Sequence, residues 1–88
     1  MSAVKIIGTQ AACGTSSGAS SNFDNASDVR LVNSGTTVRL VTVTNSGGTT
    51  IGTFSLAGSE DIIVRKATDD KIFAAHAEVL GVAVRTEG

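Results

Sequence analysis

His76 is the only histidine and Cys13 the only cysteine in the 88-residue chain. Together they set the ceiling on metal and nucleophile chemistry. A zinc-type centre draws several ligands from His and Cys, and here neither residue type has a second member. A serine nucleophile needs a base held within reach. The chain has ten serines, but its one histidine stands alone. No Gly-x-x-x-x-Gly-Lys-Ser/Thr loop occurs either, so the glycines carry no phosphate site. The carboxylates Asp24, Asp28, Glu60, Asp61, Asp69 and Asp70 include two adjacent pairs. Paired carboxylates can bind calcium or divide acid and base duties. Glu60-Asp61 follows a turn and Asp69-Asp70 opens a helical candidate, and solvated turn and cap roles account for both. Neither has the spaced Asp/Asn/Gly pattern of an EF-hand loop. The expectation is a non-enzymatic protein with no catalytic residue, no metal ligand and no cofactor.

Charge narrows the partners. The formal net charge is −1 and the pI about 5.6, so no basic field exists to hold nucleic acid. All three aromatics are Phe, which leaves few platforms for stacking bases. No apolar run reaches the length of a membrane-crossing helix. Lys5 and Gly8 bracket only Ile6 and Ile7, too short for a signal-peptide core. Arg30, Arg39 and Arg65, with Lys66 and Arg85, fall on strand-like segments. They serve either as charges that protect an exposed face or edge, or as an arginine-lined contact with an acidic neighbouring subunit. Cys13 cannot form an intrachain disulfide and reads as a small buried or linker residue.

The elements that must position these residues are strands. Val, Ile and Thr supply 27 of the 88 residues, and β-branched side chains favour extended backbone. Surface scaling for 8.8 kDa gives a folded area of ~4,800 Å², so one domain at most is expected. Strand character is read over residues 4–10, 29–32, 38–44, 49–56, 61–66 and 79–85. The phrase Val-Arg-Leu-Val, then Asn-Ser-Gly, then Thr-Thr occurs twice, from Val29 and from Val38, with a spacer of different length. Two copies are too few for a solenoid, and Asn, Ser and Gly suit tight turns. Asn45-Ser46-Gly47-Gly48 predicts an antiparallel hairpin between 38–44 and 49–56. Gly52 within the second strand predicts a bulge or a close backbone approach. Thr68 with Asp69 and Asp70 has the form of a helix start, so 68–76 is the one helical candidate, with His76 capping its end. The fold class is all-β: a small antiparallel β-sandwich or partly open barrel with one short helix.

The N-terminal third differs in composition. Residues 11–21 are Ala, Cys, Gly, Thr and Ser only, too small and polar to order themselves. The domain reading is a strand and flexible arm over 1–27 and a β-sandwich over 28–88. Two arrangements of the arm follow. The strand can add to a neighbouring subunit's sheet with Phe23 anchored there, or fold back on its own sheet with Phe23 plugging its own core. The first makes Val4, Ile6 and Phe23 candidate inter-subunit contacts beside Arg30, Arg39 and Arg65.

Residues 29–84 resemble a class of very small virion proteins of marine tailed bacteriophages, including cyanophages. The matching phrases are Val29-Arg30-Leu31-Val32-Asn33, Ile51-Gly52-Thr53-Phe54-Ser55-Leu56-Ala57-Gly58, Ile63-Val64-Arg65-Lys66-Ala67-Thr68-Asp69 and Ile72-Phe73-Ala74-Ala75. The resemblance implies a structural protein, a capsid decoration or cement protein bound to the shell as a homo-oligomer. Its partners would be the major capsid protein or other virion proteins, and its location the virion, assembled in the host cytoplasm. A tail, neck or fibre component and a small ligand-binding β-domain are the alternatives.

Overall fold

Short β-branched runs separated by Gly, Ser and Asn become strands. The computed structural model describes residues 4–86. Among these, β1 (Val4–Ile6), β2 (Ala11–Ala12), β3 (Asp28–Asn33), β4 (Arg39–Thr44), β5 (Thr50–Leu56), β6 (Asp61–Arg65), β7 (Lys71–Ala74) and β8 (Val79–Thr86) follow in order, with one 3-10 turn at Ser17–Ala19. Every pairing among them is antiparallel. One sheet has the order β1-β8-β3-β6, with β2 also on β8, and the other has the order β5-β4-β7. The two open sheets form a sandwich-like all-β fold. The core lies between them: Val29, Leu31, Val79 and Ala83 from the first sheet meet Val41, Leu56, Ile72 and Ala74 from the second. The accessible surface is 4791 Å², the area expected of a compact chain of this mass.

The hairpin of β4 and β5 forms as the turn chemistry requires. Asn45 Oδ1 accepts hydrogen bonds from the backbone N–H groups of Gly47 and Thr49, both at 3.0 Å. Val43 opposes Gly52 while Thr44 opposes Thr50, so Ile51 is the extra residue of a bulge. Nothing approaches the position a Cβ would take on Gly52. The glycine therefore marks the bulge and not a close contact.

The expected helix over 68–76 is absent. Residues 67–70 form a turn instead, closed by Asp70 N–H donating to the Ala67 carbonyl at 3.0 Å and by Asp70 Oδ2 accepting from Ala67 N–H at 3.1 Å. Lys71–Ala74 then pairs with β4. Alternation buries Ile72 and Ala74 completely, whereas a helix of one or two turns gains little by itself. Pairing to an otherwise bare side of β4 overrides the local helical signal.

The N-terminal segment lies on its own chain, the second of the two arrangements. Ile6 pairs with Val84 and Ala11 with Gly81. Between these points the segment advances from 6 to 11 while β8 moves only from 84 to 81, so residues 7–10 bulge. Ser21 then crosses to the other sheet and bridges Ile72. The Gly14 carbonyl accepts from Ala74 N–H at 3.1 Å. The polar tract of 11–21 is ordered by backbone hydrogen bonds to β7 and β8, which need no apolar side chains. Phe23 fixes this cover. Its ring packs over Gly81, where an added Cβ would stand only 2.6 Å from Phe23 Cζ. Phe23, Asp24 and Asn25 all have positive φ, at 52°, 59° and 58°, a conformation L-residues avoid. Burial of the ring, 7% exposed, and the Asn22 side chain, bonded to both Asn25 N–H and Asn25 Oδ1, hold it there.

Replacing Phe23 by Ala is expected to cost about 3–5 kcal/mol, and Gly81→Ala about 1–3 kcal/mol through crowding of the ring. The double variant should lose less than the sum, because the methyl group added at position 81 then fills part of the vacated space. Urea unfolding of the four proteins checks this; strict additivity would show that ring and glycine do not meet.

Candidate functional site

The charged residues singled out in the sequence mostly brace the fold. Arg65 binds Asp28 through two hydrogen bonds, Nε to Oδ1 at 2.9 Å and Nη2 to Oδ2 at 3.3 Å. The adjacent Asp28 carboxylate raises the guanidinium pKa, by hydrogen bonding first and by charge second. Arg39 donates to Glu78 Oε1 from Nε at 3.3 Å and Nη2 at 3.0 Å. Arg30 Nε meets Asp61 Oδ2 at 3.2 Å. Each of the three arginines thus has an acidic partner in its own chain. Phe23 lies in its own core, Ile6 is exposed on the outer side of β1, and Val4 takes its backbone place opposite Thr86. The structure does not gather these six residues into one surface.

The carboxylate pairs separate as well. Glu60 Oε1 accepts from Ala57 N–H at 2.9 Å and closes the β5–β6 turn, while Asp61 faces Arg30. His76 is exposed in the β7–β8 turn, where Nδ1 accepts the Glu78 N–H at 3.1 Å. With the helix gone, it caps a turn and not a helix end. Among the described residues no three His, Cys, Asp or Glu side chains come together.

Two polar residues do more than their sequence positions suggest. Asn33 is fully buried. Its Nδ2 donates to the carbonyls of Thr37 at 2.7 Å and Leu56 at 3.0 Å, and its Oδ1 accepts from Gly35 N–H at 3.0 Å. One amide thereby ties β3 of the first sheet to β5 of the second. Lys66 is also buried, with Nζ donating to the carbonyls of Ala26 at 2.6 Å, Ala67 at 3.2 Å and Thr68 at 3.2 Å. Burial lowers its pKa, opposed by the charges of Asp70 and Asp69. These three bonds lock the end of the N-terminal cover to the β6–β7 turn.

Apart from Ile6 and Ile7 at the N-terminal edge, the exposed large apolar residues lie in two places. The first is the open side of the sandwich, where edge strands β5 and β6 frame a cleft of about 400 Å³ lined by Val43, Ile51, Phe54, Ile62 and Val64. Ile51, Ile62 and Ile63 are 59%, 42% and 38% exposed here. The second is the outer face of the β5-β4-β7 sheet, where Val38 and Leu40 stand in solvent. The opposite side of the sandwich is closed by residues 13–26. Compared with known proteins, the chain matches no family model, no curated protein and no solved structure.

Cys13 and Asn33 give two tests. Cys13 is buried and its thiol pKa is pushed up to about 12 by burial. A raised pKa contributes stability that is complete below the unfolded thiol's value of ~8.5 and lost as pH rises from there towards 12. A thiol reagent near pH ~8, below that range, should therefore label Cys13 only at the rate of opening, and immediately in urea; fast labelling of the folded chain would place the thiol at the surface. Asn33→Ala should cost about 2–4 kcal/mol, since several buried backbone groups lose their partner at once. Asn45→Ala, in the same sequence phrase but exposed, should cost about 1 kcal/mol or less. Equal losses in thermal or urea unfolding would remove Asn33 from its bridging role.

Proposed function

We propose that this chain is a non-enzymatic structural protein of a phage virion, a decoration or cement protein that binds the capsid shell as an oligomer. The reading rests on the resemblance of residues 29–84 to small virion proteins and on one observation. A sandwich with a closed side carries separate exposed aliphatic surfaces, among them the β5/β6 seam and the Val38–Leu40 face. An oligomer on a lattice needs two such contacts, one for its sibling and one for the shell. Many weak copies then bind together far more tightly than one. A tail, neck or fibre position uses the same surfaces. The cleft gives the ligand-binding alternative its footing, with an aliphatic lining suited to an apolar ligand.

Adding the purified protein to shells that lack it, followed by co-sedimentation and electron microscopy, tests the proposal. Regular density on the shell is the expected result. Leu40→Asp should weaken shell binding by roughly tenfold or more while leaving the circular dichroism spectrum and the protein's own oligomer unchanged. Absence of the protein from purified particles would overturn the reading, and density confined to the tail would move it to the second position.

A further inference from the structure

The four lateral edges of the two sheets are not alike. The edge of β7 is occupied by residues 14–21 through Ser21 and Gly14. The edge formed by β1 and β2 is short and interrupted by the bulge at 7–10, a common way of blunting an edge. Among the described strands, β5 and β6 form the edges left uncovered. Register fixes which backbone groups β6 presents. Lys66 N–H donates to Ser27 O at 2.8 Å and Asn33 N–H to Glu60 O at 3.0 Å. Pairs alternate along an antiparallel ladder, so Ile62 and Val64 direct their backbone groups to β3. The N–H and C=O groups of Asp61, Ile63 and Arg65 point away from it, out of the sheet edge.

We infer that β6 pairs with β6 of a second copy of this chain, antiparallel and centred on Ile63, to form a two-fold symmetric dimer. The sequence of the strand is Asp61-Ile62-Ile63-Val64-Arg65, and it is complementary to its own reverse. Turned about Ile63, Asp61 falls opposite Arg65, Ile62 opposite Val64, and Ile63 opposite itself. The three residues whose backbone groups point outward then meet one another as hydrogen-bonded pairs, which is what the ladder requires. Opposite charges directly across a strand pair are stabilising and like charges are not, so this register is favoured over slipped ones.

The surrounding charges extend the match. Asp61, Ile63 and Arg65 share the outer face of the sheet with Asp28 and Arg30. In the dimer the sequence across the outer face becomes Asp28, Arg65, the partner subunit's Asp61 and the partner subunit's Arg30, alternating in sign without a break. Symmetry supplies the same ladder on the other side of Ile63, as an isologous contact does. On the inner face, Ile62 and Val64 of each copy cover one end of the cleft beside β5. The edge of β5 offers no such code, because Thr50–Leu56 contains no charged residue. The pairing stands whether or not the chain belongs to a virion.

Sedimentation at rising protein concentration, with cross-linking, tests the pairing. The full chain should pass from monomer to dimer. Asp61→Arg sets like charges opposite one another twice, by symmetry, and should weaken the dimer roughly tenfold or more. Its urea midpoint should barely change, because the exposed Arg30–Asp61 pair adds little to the fold. Ile63→Cys places two thiols across the axis at about 5.5 Å between Cα atoms, within disulfide range, so mild oxidation should give a dimer cross-linked through position 63. Buried Cys13 does not compete. Ser55→Cys, on the other uncovered edge, should cross-link poorly. A chain that stays monomeric throughout overturns the inference. So does a dimer that tolerates Asp61→Arg and cross-links through the Ser55→Cys variant in place of the Ile63→Cys variant.

Discussion

The carboxamide of Asn33 is the interaction on which the two sheets depend. An 88-residue chain with three aromatics has a thin aliphatic core, and dispersion and burial alone leave two such sheets free to slide. A buried amide with each of its partners fixed allows one alignment only, because any slip strands a carbonyl or an N–H away from water. The backbone of Asn33 adds to this: its N–H reaches Glu60 O and its carbonyl accepts from Ser59 N–H, both at 3.0 Å. One residue thus sets the end of β3, the start of β4 through Thr37, the end of β5 and the turn into β6. Lys66 plays a parallel part at the other end of β6. Both ends of that strand are anchored, and its outward backbone groups are presented in a fixed line.

The cover over residues 13–26 explains why the molecule has two unlike sides. Its backbone satisfies β7 and the first part of β8, so that half of the sandwich presents side chains and turns. Nothing comparable follows β5, because the short turn at 57–60 sends the chain straight into β6 on the same side. Consecutive strands that end up as the outer strands of opposite sheets necessarily leave a seam between them. The exposed isoleucines at this seam are thus a consequence of topology as well as of composition.

Local patterns in the sequence carry the β4–β5 hairpin and its bulge. Alternating apolar residues, an Asn-Ser-Gly-Gly turn and one mid-strand glycine are complete without tertiary help. The 68–76 segment misleads for the opposite reason. Thr-Asp-Asp followed by Ile-Phe-Ala-Ala satisfies a helix start and a strand alternation equally, and only the bare side of β4 decides between them. Asn33 and Asn45 sit in the same phrase, yet one is a buried bridge and the other a solvent-exposed turn. The difference is made largely by Leu56, which is 23 residues away from Asn33. The Lys66 cage is hidden from sequence for the same cause, since Ala26 lies 40 residues before it. The arginines read in the sequence as strand residues whose acidic neighbours have no address, and the structure supplies those neighbours from the same chain.

The position of β8 has a bearing on how the molecule comes into being. β8 lies between β1, β2 and β3 in its sheet. Until residues 79–86 emerge during synthesis, β1 and β2 have no strand partner and β3 has at most one. The β4–β5 ribbon, whose strands are neighbours in sequence, can zip early. The larger sheet closes last, with high contact order and correspondingly slow folding. In that interval one whole side of β3 lies bare beside the aliphatic β6, and the nascent chain is then most open to association with the wrong strand.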